Sequence, residues 1–83
     1  MGLRVKMEHS EKYRQIGLKV SYYRKLRGLT QEELAERVER TPAFIGHIEA
    51  PNIIKAVSLD TLFDIAEALD VPAYRFLRFE EEG

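Results

Sequence analysis

Thr30-Gln31-Glu32-Glu33-Leu34-Ala35-Glu36-Arg37-Val38-Glu39-Arg40-Thr41-Pro42-Ala43-Phe44-Ile45-Gly46-His47-Ile48-Glu49-Ala50 is the stretch on which the reading of this chain turns. Thr30 with Glu33 forms a capping box: the hydroxyl accepts from the amide three residues on, and the carboxylate reaches back to the threonine amide. Leu29, just before the cap, is positioned to staple onto Leu34. Leu34, Ala35 and Val38 make a turn-spaced apolar stripe on an otherwise charged segment, which predicts a short helix over 31–38. Thr41-Pro42 then starts a second helix, because threonine caps and the missing proline amide costs nothing at the first helical position. In that helix, over 42–50, Ile45 and Ile48 face inward while Pro42, Ala43, Gly46 and His47 face outward. Ala35, a small residue, stands where the two helices cross.

Working outward from this pair, Ser10 is a candidate cap for an earlier helix whose apolar positions are Ile16, Val20, Tyr23 and Leu26 or the stem of Arg27. Gly28 stops it by accepting a left-handed backbone. Downstream, Ala50-Pro51-Asn52 opens a loop that runs to Val57. Ser58 caps a fourth helix with Leu59, Leu62, Phe63, Ala66 and Leu69 on a broad apolar face. Asp70-Val71-Pro72 breaks the chain, and Pro72 is expected to begin a last helix carrying Ala73, Phe76 and Leu77. The architecture expected is all-α: a compact five-helix domain over 10–79, between a flexible tail (1–9) and an acidic tail (80–83). Two short capped helices joined by a tight turn are the sequence form of a helix-turn-helix, in which the second helix enters the major groove of DNA.

Composition narrows the function classes. Eighty-three residues suffice for one domain with a thin core. With no cysteine there is neither a disulfide scaffold nor a thiolate metal site, and a cytoplasmic home is expected. No run long and apolar enough to span a membrane is present. His9 and His47 alone make no metal set, and no nucleophile–base pair or phosphate-cradling glycine run is evident, so neither enzyme nor cofactor is expected. Net charge is −1, but residues 1–27 carry eight basic and two acidic side chains, against five and twelve in the remainder. That split reads either as a field that orients the chain on a polyanion or as a solvated surface with chance clustering.

The blocks Gly28-Leu29-Thr30-Gln31-Glu32-Glu33-Leu34-Ala35, Ile45, Ile48-Glu49, Ser58-Leu59-Asp60-Thr61-Leu62 and Ala66-Glu67-Ala68-Leu69 followed by Val71 resemble the Xre/Cro/C1-type repressor family of phage and bacteria, across about residues 16 to 77. The resemblance implies a lambda-repressor-like domain whose helices 2 and 3 bind double-stranded DNA. It matches Gln31 to a glutamine that contacts a DNA phosphate, the other reading being an ordinary polar first-turn residue. It matches Arg24 and Glu49 to a partly buried ion pair joining helix 1 to helix 3. The family's base-reading positions fall on Pro42, Ala43, Gly46 and His47, with Thr41 and Phe44 near the DNA backbone.

The chain departs from that pattern in ways that bear on function. Only His47 offers an outward hydrogen-bonding side chain on helix 3, so direct base readout is expected to be sparse. Ala43 and Phe44 suit thymine methyls, with core or partner contact the alternative for Phe44. Glu39 stands where the family usually has glycine, and Arg40 where it has an apolar residue. A reshaped turn is therefore expected, with Arg40 reaching a phosphate over a snorkelling stem. Asn52 and Lys55, in a longer loop, are further backbone candidates. A homodimer on a two-fold-related operator is expected, with Val71, Tyr74, Phe76, Leu77 and Phe79 available either for its contact or for the core. The competing reading is a protein-interaction module, such as an antitoxin-type partner, on the same fold.

Overall fold

Three helix ends in this chain close in the same way, and they set its architecture. A computed structural model describes residues 7–79, with α1 (Ser10–Leu26), α2 (Gln31–Arg37), α3 (Pro42–Glu49) and α4 (Leu59–Leu69), and 3-10 turns at Met7–His9 and Ala73–Phe76. No strand occurs among the described residues, as the all-α expectation required. After α1, α2 and α4 a single residue turns left-handed: Gly28 at φ 72°, Glu39 at 56° and Asp70 at 54°. In each case two amides fold back onto the helix's last carbonyls, those of Leu29 and Gly28 on Arg24 and Lys25, Arg40 and Glu39 on Ala35 and Glu36, and Val71 and Asp70 on Ala66 and Glu67. These are Schellman closures, which satisfy carbonyls that would otherwise lack partners.

The helix starts follow the caps read from sequence. The Thr30 hydroxyl accepts from the Glu33 amide at 3.0 Å and the Glu33 carboxylate accepts from the Thr30 amide at 3.0 Å. Thr41 accepts from the Phe44 amide at 3.1 Å and Ser58 from the Thr61 amide at 3.2 Å. Thr30's amide also holds the Glu33 carboxyl below its ordinary range. The start of α1 differs: His9 occupies the cap position, without a side-chain cap bond, and Ser10 is already helical.

α1 is the packing centre, lying against α3, α4 and the C-terminal 3-10 turn, while α2 packs on α3 and α4. Val20, Leu34, Ile45, Leu62, Ile65, Leu69 and Phe76 are fully enclosed between these elements. Ala35 is buried too, consistent with the close crossing of α2 and α3.

Several expectations are corrected by this packing. The last helix is one 3-10 turn, Ala73–Phe76, closed by the Leu77 amide on the Tyr74 carbonyl. Val71 and Phe76 belong to the core and are not free for a dimer contact; Tyr74 and Leu77 are exposed, and Phe79 packs against the core. Leu26, Leu59 and Phe63 are exposed, so the inner faces of α1 and α4 are narrower than their apolar content suggested. Arg27 does not simply lay its stem on the core: its Nε donates to the Leu69 carbonyl at 2.7 Å and its Nη2 to the Asp70 carbonyl at 3.0 Å, tying the end of α1 to the end of α4. The α2–α3 turn keeps the left-handed residue despite the glutamate, and the expected reshaping does not occur. Of the expected tails, 1–6 and 80–83 lie outside the described residues, and Met7–His9 forms the turn that leads into α1.

Candidate nucleic-acid interface

α3 is anchored from behind by main-chain contact, apolar packing and charge. Gly17, in the middle of α1 and buried, meets the backbone at the end of α3 so closely that a Cβ there would overlap the Ile48 carbonyl oxygen and lie 3.5 Å from Glu49 Cα. Only glycine permits that approach. Ile45 and Ile48 plug α3 into the core. Arg24 then grips Glu49 in a two-pronged pair, Nε to Oε2 at 2.7 Å and Nη2 to Oε1 at 2.9 Å, and its Nη1 donates to the Leu29 carbonyl at 2.7 Å. Both side chains are buried, and the hydrogen bond to Glu49 pushes the Arg24 pKa further above its ordinary value. Burying such a pair adds little net stability, but removing one partner strands the other charge.

The opposite face of α3 is open. Thr41, Pro42, Ala43 and His47 are exposed, and Gly46 is partly covered by Gln31 of α2. Gln31 is half-buried beside it, its Nε2 donating to Glu49 Oε1 at 3.1 Å and its Oε1 facing Gly46. The amide nitrogen carries two protons, so one remains for an outside acceptor. Gln31, Glu49 and Arg24 thus form one chain of contacts from the core to the open face.

Arg40 and Lys55 converge at the α3 edge. The Arg40 guanidinium carbon lies 4.7 Å from the centroid of the Phe44 ring, and Lys55 Nζ lies 5.0 Å from the same centroid. Arg40 also donates from Nη2 to Thr61 Oγ1 at 3.3 Å, bracing it against the first turn of α4. Phe44 itself is half-buried against the core. Asn52 is exposed on the turn that follows α3.

Of the basic segment read from sequence, Arg4 and Lys6 lie outside the described residues, and four of the others make internal contacts. Arg14 pairs with Glu11, Arg24 is buried, Arg27 holds α4, and Lys19 Nζ lies 5.3 Å from the centroid of the Phe79 ring. Lys25, exposed on α1, lines a shallow groove with Ser21, Gln31, Gly46 and Ala50. It was not singled out in the sequence, though its place beside inward-facing Arg24 was a usable signal. Among the described residues no group of histidine or carboxylate side chains is arranged to hold a metal, and no helix is long and apolar enough to cross a membrane.

Comparison with known proteins agrees with this geometry. The model of the helix-turn-helix family matches residues 20–76. No curated protein sequence matches. Among solved structures, the chain is similar to SinR, a master regulator for biofilm formation crystallised in complex with DNA, at 30% identity and a TM-score of 0.70, over 76% of this chain and 98% of that one. It is also similar to the restriction-modification controller protein C.AhdI from Aeromonas hydrophila, at 26% identity and a TM-score of 0.72, over 80% and 97% of the two chains. The clp gene regulator ClgR from C. glutamicum matches at 26% identity and a TM-score of 0.72, over 80% and 83%. With the capped α2–α3 pair, the enclosed Arg24–Glu49 bridge and a family match covering most of its length, this chain belongs to the helix-turn-helix family, of the Xre/Cro/C1 type.

Proposed function

We propose that this protein is a sequence-specific DNA-binding transcription regulator, repressor-like in design, that places α3 in the major groove. The observation that carries the reading is the contrast between the two sides of α3: one is locked to α1 at the level of backbone and buried charge, and the other is exposed along Pro42, Ala43 and His47. A rigid helix with a free outer face is what groove insertion needs. The similarity to SinR, which was crystallised in complex with DNA, supports the DNA-binding reading.

In this role His47 contacts a base edge, Ala43 a thymine methyl, and Pro42 and Gly46 allow close approach. Thr41, Arg40, Asn52 and Lys55 face the phosphate backbone, and Gln31 offers its remaining N–H to a phosphate. One short helix covers few bases, so the protein acts as a homodimer on paired half-sites, with exposed Tyr74 and Leu77 as the C-terminal contact. Such a regulator works in the cytoplasm and needs neither cofactor nor catalysis. The protein-interaction alternative is not favoured: of the two features that suggest it, Phe44 and the acidic C-terminal half, Phe44 is half-buried beside two cations instead of standing free.

The test is selection of bound sites from random duplex DNA, followed by titration of the selected site at several salt concentrations. Enrichment of a two-fold-related sequence and steep salt dependence are expected. Absence of binding to every duplex, alongside recovery of one stoichiometric protein partner, would overturn the proposal.

A further inference from the structure

We propose that Phe44 is a positioning residue that holds Arg40 and Lys55 together as one clamp for a backbone phosphate, and does not itself read a base. The inference rests on the DNA-binding reading above and assigns the division of labour within that site. Three helix ends share one closure, and in two of them the residue that follows the left-handed one is apolar and buried: Leu29 after Gly28 and Val71 after Asp70. After α2 the same position is Arg40, which is exposed. An apolar side chain there customarily completes the closure by packing on the helix. Here the position instead projects a cation to the edge of the candidate interface.

Arg40 does not project alone. Two positive charges lie within 5.0 Å of one ring centroid, and among the described residues neither has a carboxylate within ion-pair distance. Two like charges so placed repel, and the negative face of the Phe44 ring offsets part of that repulsion. The Arg40 guanidinium carries five N–H donors, of which one is on Thr61, so others remain for an outside acceptor. An ammonium near a ring likewise keeps donors for another acceptor. The arrangement places two cations side by side on the flank of α3. A phosphate diester carries the complementary charge.

The experiment replaces Phe44 with a ring-fluorinated phenylalanine, which keeps the shape and burial but removes the negative ring face. Binding to the selected duplex is then measured against salt. Each neutralised phosphate contributes about 0.9 to the slope of log affinity against log salt, so loss of the clamp, which holds one phosphate in each protomer, lowers the slope by up to about 0.9 per protomer. Phe44→Tyr keeps the parental slope, Arg40→Gln with Lys55→Gln lowers it to the same extent, and fluorination on that double variant lowers it no further. Circular dichroism melts confirm that each variant is folded. A parental slope in the fluorinated protein, or a slope loss that adds to that of the double variant, overturns the clamp while leaving the DNA-binding reading intact. A parent that binds no duplex at all removes both.

Discussion

Replacing Gly17 with alanine tests the claim that α3 is held by backbone contact. In an ordinary exposed helix interior this change is stabilising by up to about 1 kcal/mol, since alanine is the best helix former and glycine among the worst. Here the added methyl meets the Ile48 carbonyl, and it lies 3.0 Å from the carbonyl carbon and 3.5 Å from Glu49 Cα, so no flexible side-chain tip can swing away. Overpacking costs typically about 1–3 kcal/mol, and a backbone obstacle on a buried helix argues for the upper end. Setting the propensity gain against it leaves a net destabilisation of about 1–2 kcal/mol. For a domain of this size each kcal/mol lowers Tm by roughly 4–8 °C. Urea unfolding followed by far-ultraviolet circular dichroism, with the m-value unchanged, measures it. Gly28→Ala is the control: that residue has a left-handed φ of 72° with nothing within 4 Å, so its cost is conformational and DNA affinity at a folded concentration is unchanged. A Gly17→Ala protein as stable as the parent, or more so, refutes the close contact.

Glu49→Ala strands buried Arg24 and destabilises by about 3–5 kcal/mol in urea, whereas replacing both partners by apolar residues of similar size recovers most of that loss. Glu39→Gly relieves a left-handed glutamate and stabilises the fold by about 0.5–1 kcal/mol after allowing for the entropy of the unfolded glycine, read as a higher urea midpoint at unchanged m-value. The Glu33 carboxyl titrates below its ordinary range when folded, so its contribution is present above the unfolded glutamate pKa and disappears as pH falls through the folded value; the stability difference between the parent and Glu33→Gln shrinks on acidification, read from melts at successive pH values. Gln31→Ala weakens binding to all selected sites alike, while His47→Ala changes which sequence is enriched, as a comparison of the two selections shows.

The parts of the fold that were legible in the sequence are those written in local chemistry. Thr30, Thr41 and Ser58 each cap a helix within a few residues of themselves, and Gly28 ends one, so the helix boundaries around the interface could be read directly. The Arg24–Glu49 pair was reachable only through family resemblance, because nothing local links residues that far apart. Gly17 gave no signal, since a glycine within a helical pattern reads as tolerated until the backbone it approaches is known. The reach of Arg27 to the end of α4 was hidden for the same reason. The short C-terminal turn was overestimated because Pro72 signals a helix start without signalling its length. Phe44 carried two open readings, and its role beneath Arg40 and Lys55 depends on how the turn and the loop meet in space.

The two-sidedness of α3 also bears on how such a protein diverges. Ile45, Ile48 and Glu49 do the anchoring, while Pro42, Ala43 and His47 contribute almost nothing to the core. Substitutions at those outer positions escape the penalty that usually couples a new specificity to a weaker scaffold. Under the DNA-reading role proposed above for these positions, a descendant, natural or engineered, is free to acquire a different operator by rewriting a handful of codons, without compensating changes elsewhere.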